Sequence, residues 1–138
     1  MLYYFRKYPL SLSIIGLIFY LSLFNPPQTS MSEISNIDKV AHLCMYGGLC
    51  LVLWWEYLRN HHSTVHWSHM LFGGILAPII MSGIIELLQA YATENRSGEW
   101  LDFLANSTGV TLAALIGYYL IRPWMIRREK EKEKEKRR

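Results

Sequence analysis

Residues 83–109 read GIIELLQAYATENRSGEWLDFLANSTG. An apolar run closes here, and Glu86 and Gln89 lie inside it before it ends. A short polar connection carrying Arg96 follows, and a second apolar run then opens with Asp102 and Asn106 already within it. Ionisable side chains in a membrane span are costly, and they face a bundle interior or a partner rather than lipid. The stretch therefore predicts two membrane-spanning helices whose polar residues must be met by polar groups from elsewhere in the chain.

The composition of the whole chain agrees. It has 138 residues, 51% of them hydrophobic, gathered in long blocks rather than at helical spacing. Blocks of that kind favour a membrane protein over a soluble helical one. The formal net charge is +3, but residues 127–138 alone hold eight basic and four acidic groups, which leaves −1 for the remainder. The basic balance is therefore a property of the tail and gives no reason to expect a nucleic-acid partner. Cys44 and Cys50 lie six residues apart and point in different directions on a helix. They read as small buried hydrophobes rather than as a disulfide.

Four spans are expected. The first is Pro9 to Phe24. Its charged start and apolar core have the form of a signal peptide, but Asn25-Pro26-Pro27 offers no small-residue cleavage site, so an uncleaved span is predicted. The prolines end it. Ser35-Asn36-Ile37-Asp38 fits a capping box for a second span running to about Leu58. In that span Asp38, His42 and Tyr46 recur every fourth residue, on one helical face. Glu56, Arg59 and the histidines at 61, 62, 66 and 69 mark a polar connection. A metal on His62, His66 and His69 is weighed there against a plain juxtamembrane loop, and the loop is preferred.

The third span is Met70 to Tyr91, with a kink expected at Pro78. The fourth runs from Asp102 to Ile121 and stops at Arg122-Pro123. Along it Asp102, Asn106, Gly109, Ala113 and Gly117 form one stripe, polar and then small, which suits close helix approach in lipid and should face the bundle interior. Trp54, Trp55, Trp67, Trp100 and Trp124 fall near span ends, as an interfacial belt would. Glu129 to Lys136 alternates Glu and Lys and reads as solvated and partly frayed. The expected architecture is all-α: a four-transmembrane-helix bundle over residues 1–123 with short connections, followed by a charged tail over 124–138.

Basic residues concentrate at the start, in the 59–69 connection and in the tail, which puts both termini in the cytoplasm. Whichever way the chain faces, alternation of four spans brings the start of the second, the end of the third and the start of the fourth to one membrane surface. Asp38, His42, Glu86, Gln89, Arg96, Asp102 and Asn106 thereby share one depth.

These residues resemble those of the VanZ-like family of small bacterial membrane proteins. The resemblance rests on Asp38-Lys39-Val40-Ala41-His42 with Tyr46, on Glu86-x-x-Gln89, on Arg96, and on Asp102-x-x-x-Asn106-x-x-Gly109. It runs from about Asp38 to Gly117; the first span matches only as an apolar helix, and the His61 to His69 connection and the Glu/Lys tail map to no family element. It implies an integral protein of the bacterial cytoplasmic membrane and cell envelope. The family takes its name from a protein linked to resistance to the glycopeptide teicoplanin, so the resemblance implies a fold and a residue set but no reaction.

Two functional readings follow. In the first, a polar pocket at the outer face binds or protects an envelope component: a lipid-linked precursor, a lipid head group or a glycopeptide. Asp38, Tyr46, Gln89, Arg96 and Asn106 would be its ligand-binding residues. In the second, the protein is an enzyme in which Glu86, His42 and Asp102 carry acid–base or metal-assisted chemistry on such a molecule. Against both stands a purely structural network, in which Asp38 caps a helix and Glu86 pairs with Arg96. One histidine with several carboxylates is an unspecific ligand set, so no metal and no cofactor is assigned. A transporter has less support, because no second half repeats the first.

Overall fold

The computed structural model describes residues 2–23, 37–61, 65–92 and 99–138. Every regular element among them is helical. A short helix α1 (Leu2–Lys7) leads into α2 (Pro9–Leu23), which carries Pro9 at its first position, where the missing N–H costs nothing. Three longer apolar helices follow: α3 (Ile37–Asn60), α4 (Trp67–Tyr91) and α5 (Trp100–Lys136). At about 1.5 Å per residue, α3 and α4 reach roughly 36 Å, enough for a hydrocarbon layer of about 30 Å. The three long helices are thus of spanning length and composition, and α2, at 15 residues, is a shorter fourth member of an all-α membrane bundle.

Large apolar side chains point outward all around the bundle. Leu17 on α2, Val40 on α3, Ile80, Ile84 and Leu87 on α4, and Leu112 and Leu115 on α5 are all about half exposed or more. Such a surface would be untenable in water and is ordinary against lipid.

The bundle is organised on a seam between α3 and α5. A Cβ on Gly109 would collide with the carbonyl oxygen of Leu43, and one on Gly47 would sit 3.3 Å from the Gly109 carbonyl oxygen. The two backbones touch because neither residue carries a side chain there. Farther along, a Cβ on Gly117 would collide with the ring of Trp54. Asp102, Asn106, Gly109, Ala113 and Gly117 are all buried, so the predicted stripe does face the interior.

Several expectations are corrected. Trp54 is not an interfacial belt residue. It is 1% exposed and fills the space left by Gly117, whereas Trp55 and Trp124 pair near the surface with ring centroids 5.7 Å apart. Cys50 is buried but Cys44 is exposed, because it faces away from the seam. The fourth helix does not stop at Arg122-Pro123 but continues to Lys136, so the tail is helical and solvated rather than frayed.

The two prolines are tolerated in the same way. π-helical segments, Met70–Leu76 and Gly117–Ile121, end two residues before Pro78 and Pro123 respectively. A widened turn there relieves the clash that a proline ring makes with the carbonyl four residues earlier. For Pro78 that carbonyl belongs to Gly74, and the Cys50 thiol donates to it at 3.2 Å.

The short α2 is held at both ends by side chains from other helices. At its start, Glu56 of α3 accepts from the Leu10 N–H at 3.0 Å, from the Ser11 N–H at 3.1 Å and from the Ser11 hydroxyl at 2.6 Å. These are first-turn N–H groups that the helix itself leaves without acceptors. Glu56 is therefore no marker of a connection: it is fully buried within α3. At the other end of α2, Gln89 of α4 donates to the Ser22 carbonyl at 2.9 Å. Asn60 adds a bond to the Lys7 carbonyl at 2.7 Å.

Candidate functional site

Three helices deliver polar side chains to one end of the bundle. The seam brings α3 and α5 so close that short side chains reach across it, and His42 Nδ1 lies 3.1 Å from Asn106 Oδ1. The amide of Asn106 turns to α4, where its nitrogen donates to the Ser82 hydroxyl at 3.2 Å and to Glu86 Oε1 at 3.4 Å. Asn106 thus joins all three long helices through one planar group. Glu86 Oε2 accepts the Glu99 backbone N–H at 3.3 Å, just ahead of α5.

His42 is surrounded by carboxylates. Its Nδ1 is 3.9 Å from Glu86 Oε1, and its Nε2 is 3.8 Å from Asp38 Oδ1 and 3.9 Å from Asp102 Oδ2. Lys39 approaches Glu99 at 3.2 Å and Asp102 at 3.6 Å. His42, Glu86, Asp102 and Asn106 are each at most 7% exposed, whereas the Asp38 side chain is 58% exposed. Asp38 therefore opens the cluster to the surroundings. One ligand atom from each of Asp38, His42 and Asp102 lies within 4.8 Å of the other two, a spacing that could accept a cation. Asp102 Oδ1, buried, has no hydrogen-bond donor among the described residues beyond its contact with Lys39.

Of the residues singled out in the sequence, Asp38, His42, Glu86, Asp102 and Asn106 meet at this end. Tyr46 sits one turn deeper, fully buried, and its hydroxyl has no hydrogen-bond partner among the described residues. Gln89 is buried but donates to α2. Arg96, and with it a pairing to Glu86, lies outside the described residues, as does His62. His66 and His69 stack edge to face with centroids 5.7 Å apart, and His61 stacks on Tyr57 at 4.3 Å. Ser82 lies one turn back from Glu86 on the same helical face, whereas Lys39 and Glu99 are partners that the sequence does not single out. Lys39 had a signal: it sits beside Asp38 at the same helix start.

The family model described as VanZ/LLP1 matches residues 3–122. The chain belongs to the VanZ/LLP1 family. The match is wider than the motifs alone implied, since it takes in nearly all of α1, α2 and the His61–His69 connection and leaves out the far end of α5. No curated protein and no solved structure matches the chain. Family membership and the long apolar helices together make it a VanZ-like membrane protein.

Proposed function

We propose that this VanZ-like protein is an envelope-binding module that recognises an amine-bearing component, a lipid head group or a glycopeptide, at the Asp38–His42–Asp102 cluster. The carrying observation is the charge of the cluster. Among the described residues it holds four carboxylates, on Asp38, Glu86, Glu99 and Asp102, against one lysine and one imidazole. A bare phosphate would be repelled, whereas an ammonium or a set of hydroxyl donors would find acceptors held in place by buried hydrogen bonds. The opposite end carries Arg6, Lys7, Arg59 and Arg122, with Glu56 already bonded to α2. That contrast supports an orientation with the acidic end outside the bacterial cytoplasmic membrane and both termini inside.

The test is binding of teicoplanin and of phosphatidylethanolamine to the protein in nanodiscs, each ligand with a free or an acetylated amine. Acetylation should weaken binding at least tenfold. Asp38→Asn and Asp102→Asn should each do the same without lowering the yield of folded protein. Equal binding of free and acetylated ligands would overturn the reading. So would a loss of binding that merely tracks a loss of folded protein.

A second reading, a membrane enzyme using Glu86, His42 and Asp102, is favoured by the metal-sized spacing of the Asp38, His42 and Asp102 ligand atoms. It requires one equivalent of a divalent metal per chain that His42→Gln removes. It also requires a changed lipid or muropeptide profile in a deletion strain.

A further inference from the structure

At the end of the bundle away from the polar cluster, a cavity of about 620 Å³ lies between α2, the last turns of α3 and the first turns of α4. That volume is within the usual range for small-molecule sites. Its lining changes along the bundle axis. Lys7, His61 and His69 stand at the bundle end, and among the described residues no carboxylate lines the cavity. Leu12, Ile15 and Leu53 line it deeper in. On α4 the wall runs from Ser68 to Gly74, about 9 Å of helical rise into the span.

The α4 wall is low. Phe72 is 66% exposed, and a Cβ built on Gly73 would meet nothing within 4 Å. The hollow is therefore a groove with a basic rim and an apolar floor, set at the depth where a span meets the head-group layer. Arg6 and Arg59 are exposed at the same end. Basic residues clustered at a span end attract anionic head groups.

We infer that this groove binds one anionic phospholipid, with the phosphate at Lys7 and His69 and an acyl chain along Leu12, Ile15 and Leu53. An amphipathic molecule with a negative head satisfies both parts of the lining at once. A zwitterionic lipid carries the same phosphate but adds an ammonium, which the basic rim disfavours, so it fits less well. The inference is separate from the proposal for the acidic cluster, which lies at the other end and calls for the opposite ligand charge.

The test is native mass spectrometry of the full chain in detergent, titrated with phosphatidylglycerol or with phosphatidylcholine of the same acyl chains. Phosphatidylglycerol should bind at least tenfold more tightly. Lys7→Gln should lower that affinity about fivefold, the weight of one basic residue near an anionic head group. It should lower phosphatidylcholine affinity by less than that. Gly73→Leu adds a side chain at a lining position where a Cβ meets nothing within 4 Å, and it should abolish tight phosphatidylglycerol binding while the protein still folds. Equal affinity for the two lipids overturns the inference, as does a Lys7→Gln protein that binds phosphatidylglycerol like the parent. A folded Gly73→Leu protein that still retains the lipid overturns it too.

Discussion

Replacing Glu56 with glutamine tests how α2 is held. The carboxylate is fully buried and receives one donor set on each oxygen: Leu10 N–H on Oε1, and the Ser11 N–H and hydroxyl on Oε2. A glutamine of the same shape has one oxygen. If that oxygen stays with Ser11, the side-chain NH2 meets the Leu10 N–H, donor against donor. The loss is then one hydrogen bond to a charged acceptor, about 1.5–3 kcal/mol. Loss of the carboxylate's attraction to the helix N-terminus adds about 0.3–1 kcal/mol. Glu56→Gln should therefore destabilise the bundle by about 2–4 kcal/mol, mostly by releasing α2. Equilibrium unfolding in mixed detergent micelles measures the total. Amide exchange measures where it falls, since protection at Leu10 and Ser11 should drop while that of the α3–α5 seam persists. In a double-mutant cycle, Ser11→Ala should cost less in the Glu56→Gln background than in the parent, because the hydroxyl then donates to a neutral amide oxygen instead of a carboxylate. A Glu56→Gln protein within 0.5 kcal/mol of the parent, or a Ser11→Ala cost that simply adds, would refute the clamp.

Three more expectations follow. Gly109→Ala should cost at least the 1–3 kcal/mol usual for overpacking, because the new methyl meets the Leu43 backbone, which cannot move aside as a side chain would; detergent unfolding reads the loss. Asn106→Leu removes bonds to His42, Ser82 and Glu86, at about 0.6 kcal/mol each in a membrane protein, so a loss of about 2 kcal/mol should appear in the same assay. Cys50→Ala leaves the Gly74 carbonyl without its thiol donor and should cost about 1 kcal/mol, whereas Cys50→Ser, which can still donate, should restore most of it.

Much of this arrangement is legible in the sequence, for a topological reason. Consecutive spans must alternate in direction, so residues near one end of α3, the end of α4 and the start of α5 converge whatever the packing. That logic alone brings Asp38, His42, Glu86, Asp102 and Asn106 together. It does not say which way a side chain turns. Gln89 is three residues from Glu86, about 60° around the helix, and that rotation carries it to α2 instead of the cluster. Glu56 was open to the same test as Glu86, since it too is an acid inside an apolar run, between Trp54-Trp55 and Tyr57-Leu58. The nearby Arg59 and histidines disguise it as the start of a loop, and its partners are backbone N–H groups that leave no mark in a sequence. Cys44 and Trp54 need the polar face of α3 extended: steps of four from Asp38, His42 and Tyr46 reach Cys50 and Trp54, both buried, and leave Cys44 off it, and the glycines at 47, 109 and 117 mark the same seam.

The bundle therefore has one rigid joint and one adjustable one. Between α3 and α5 the backbones themselves are in contact, so the spacing of His42 from Asn106 is set by atoms that cannot rearrange without breaking a helix. The position of α2 depends instead on side-chain bonds from Glu56, Asn60 and Gln89, with Ile18 buried in the core. Segments held by few contacts open at lower free energy than the core they pack on. A ligand that draws on Glu86 also bears on Gln89 one turn away, and through it on the end of α2. A lipid seated against Leu12 and Ile15 bears on the same helix from its other end. Any response of this fold to what it binds must be sought first in α2, since a displacement along the seam would require two glycine backbones to separate.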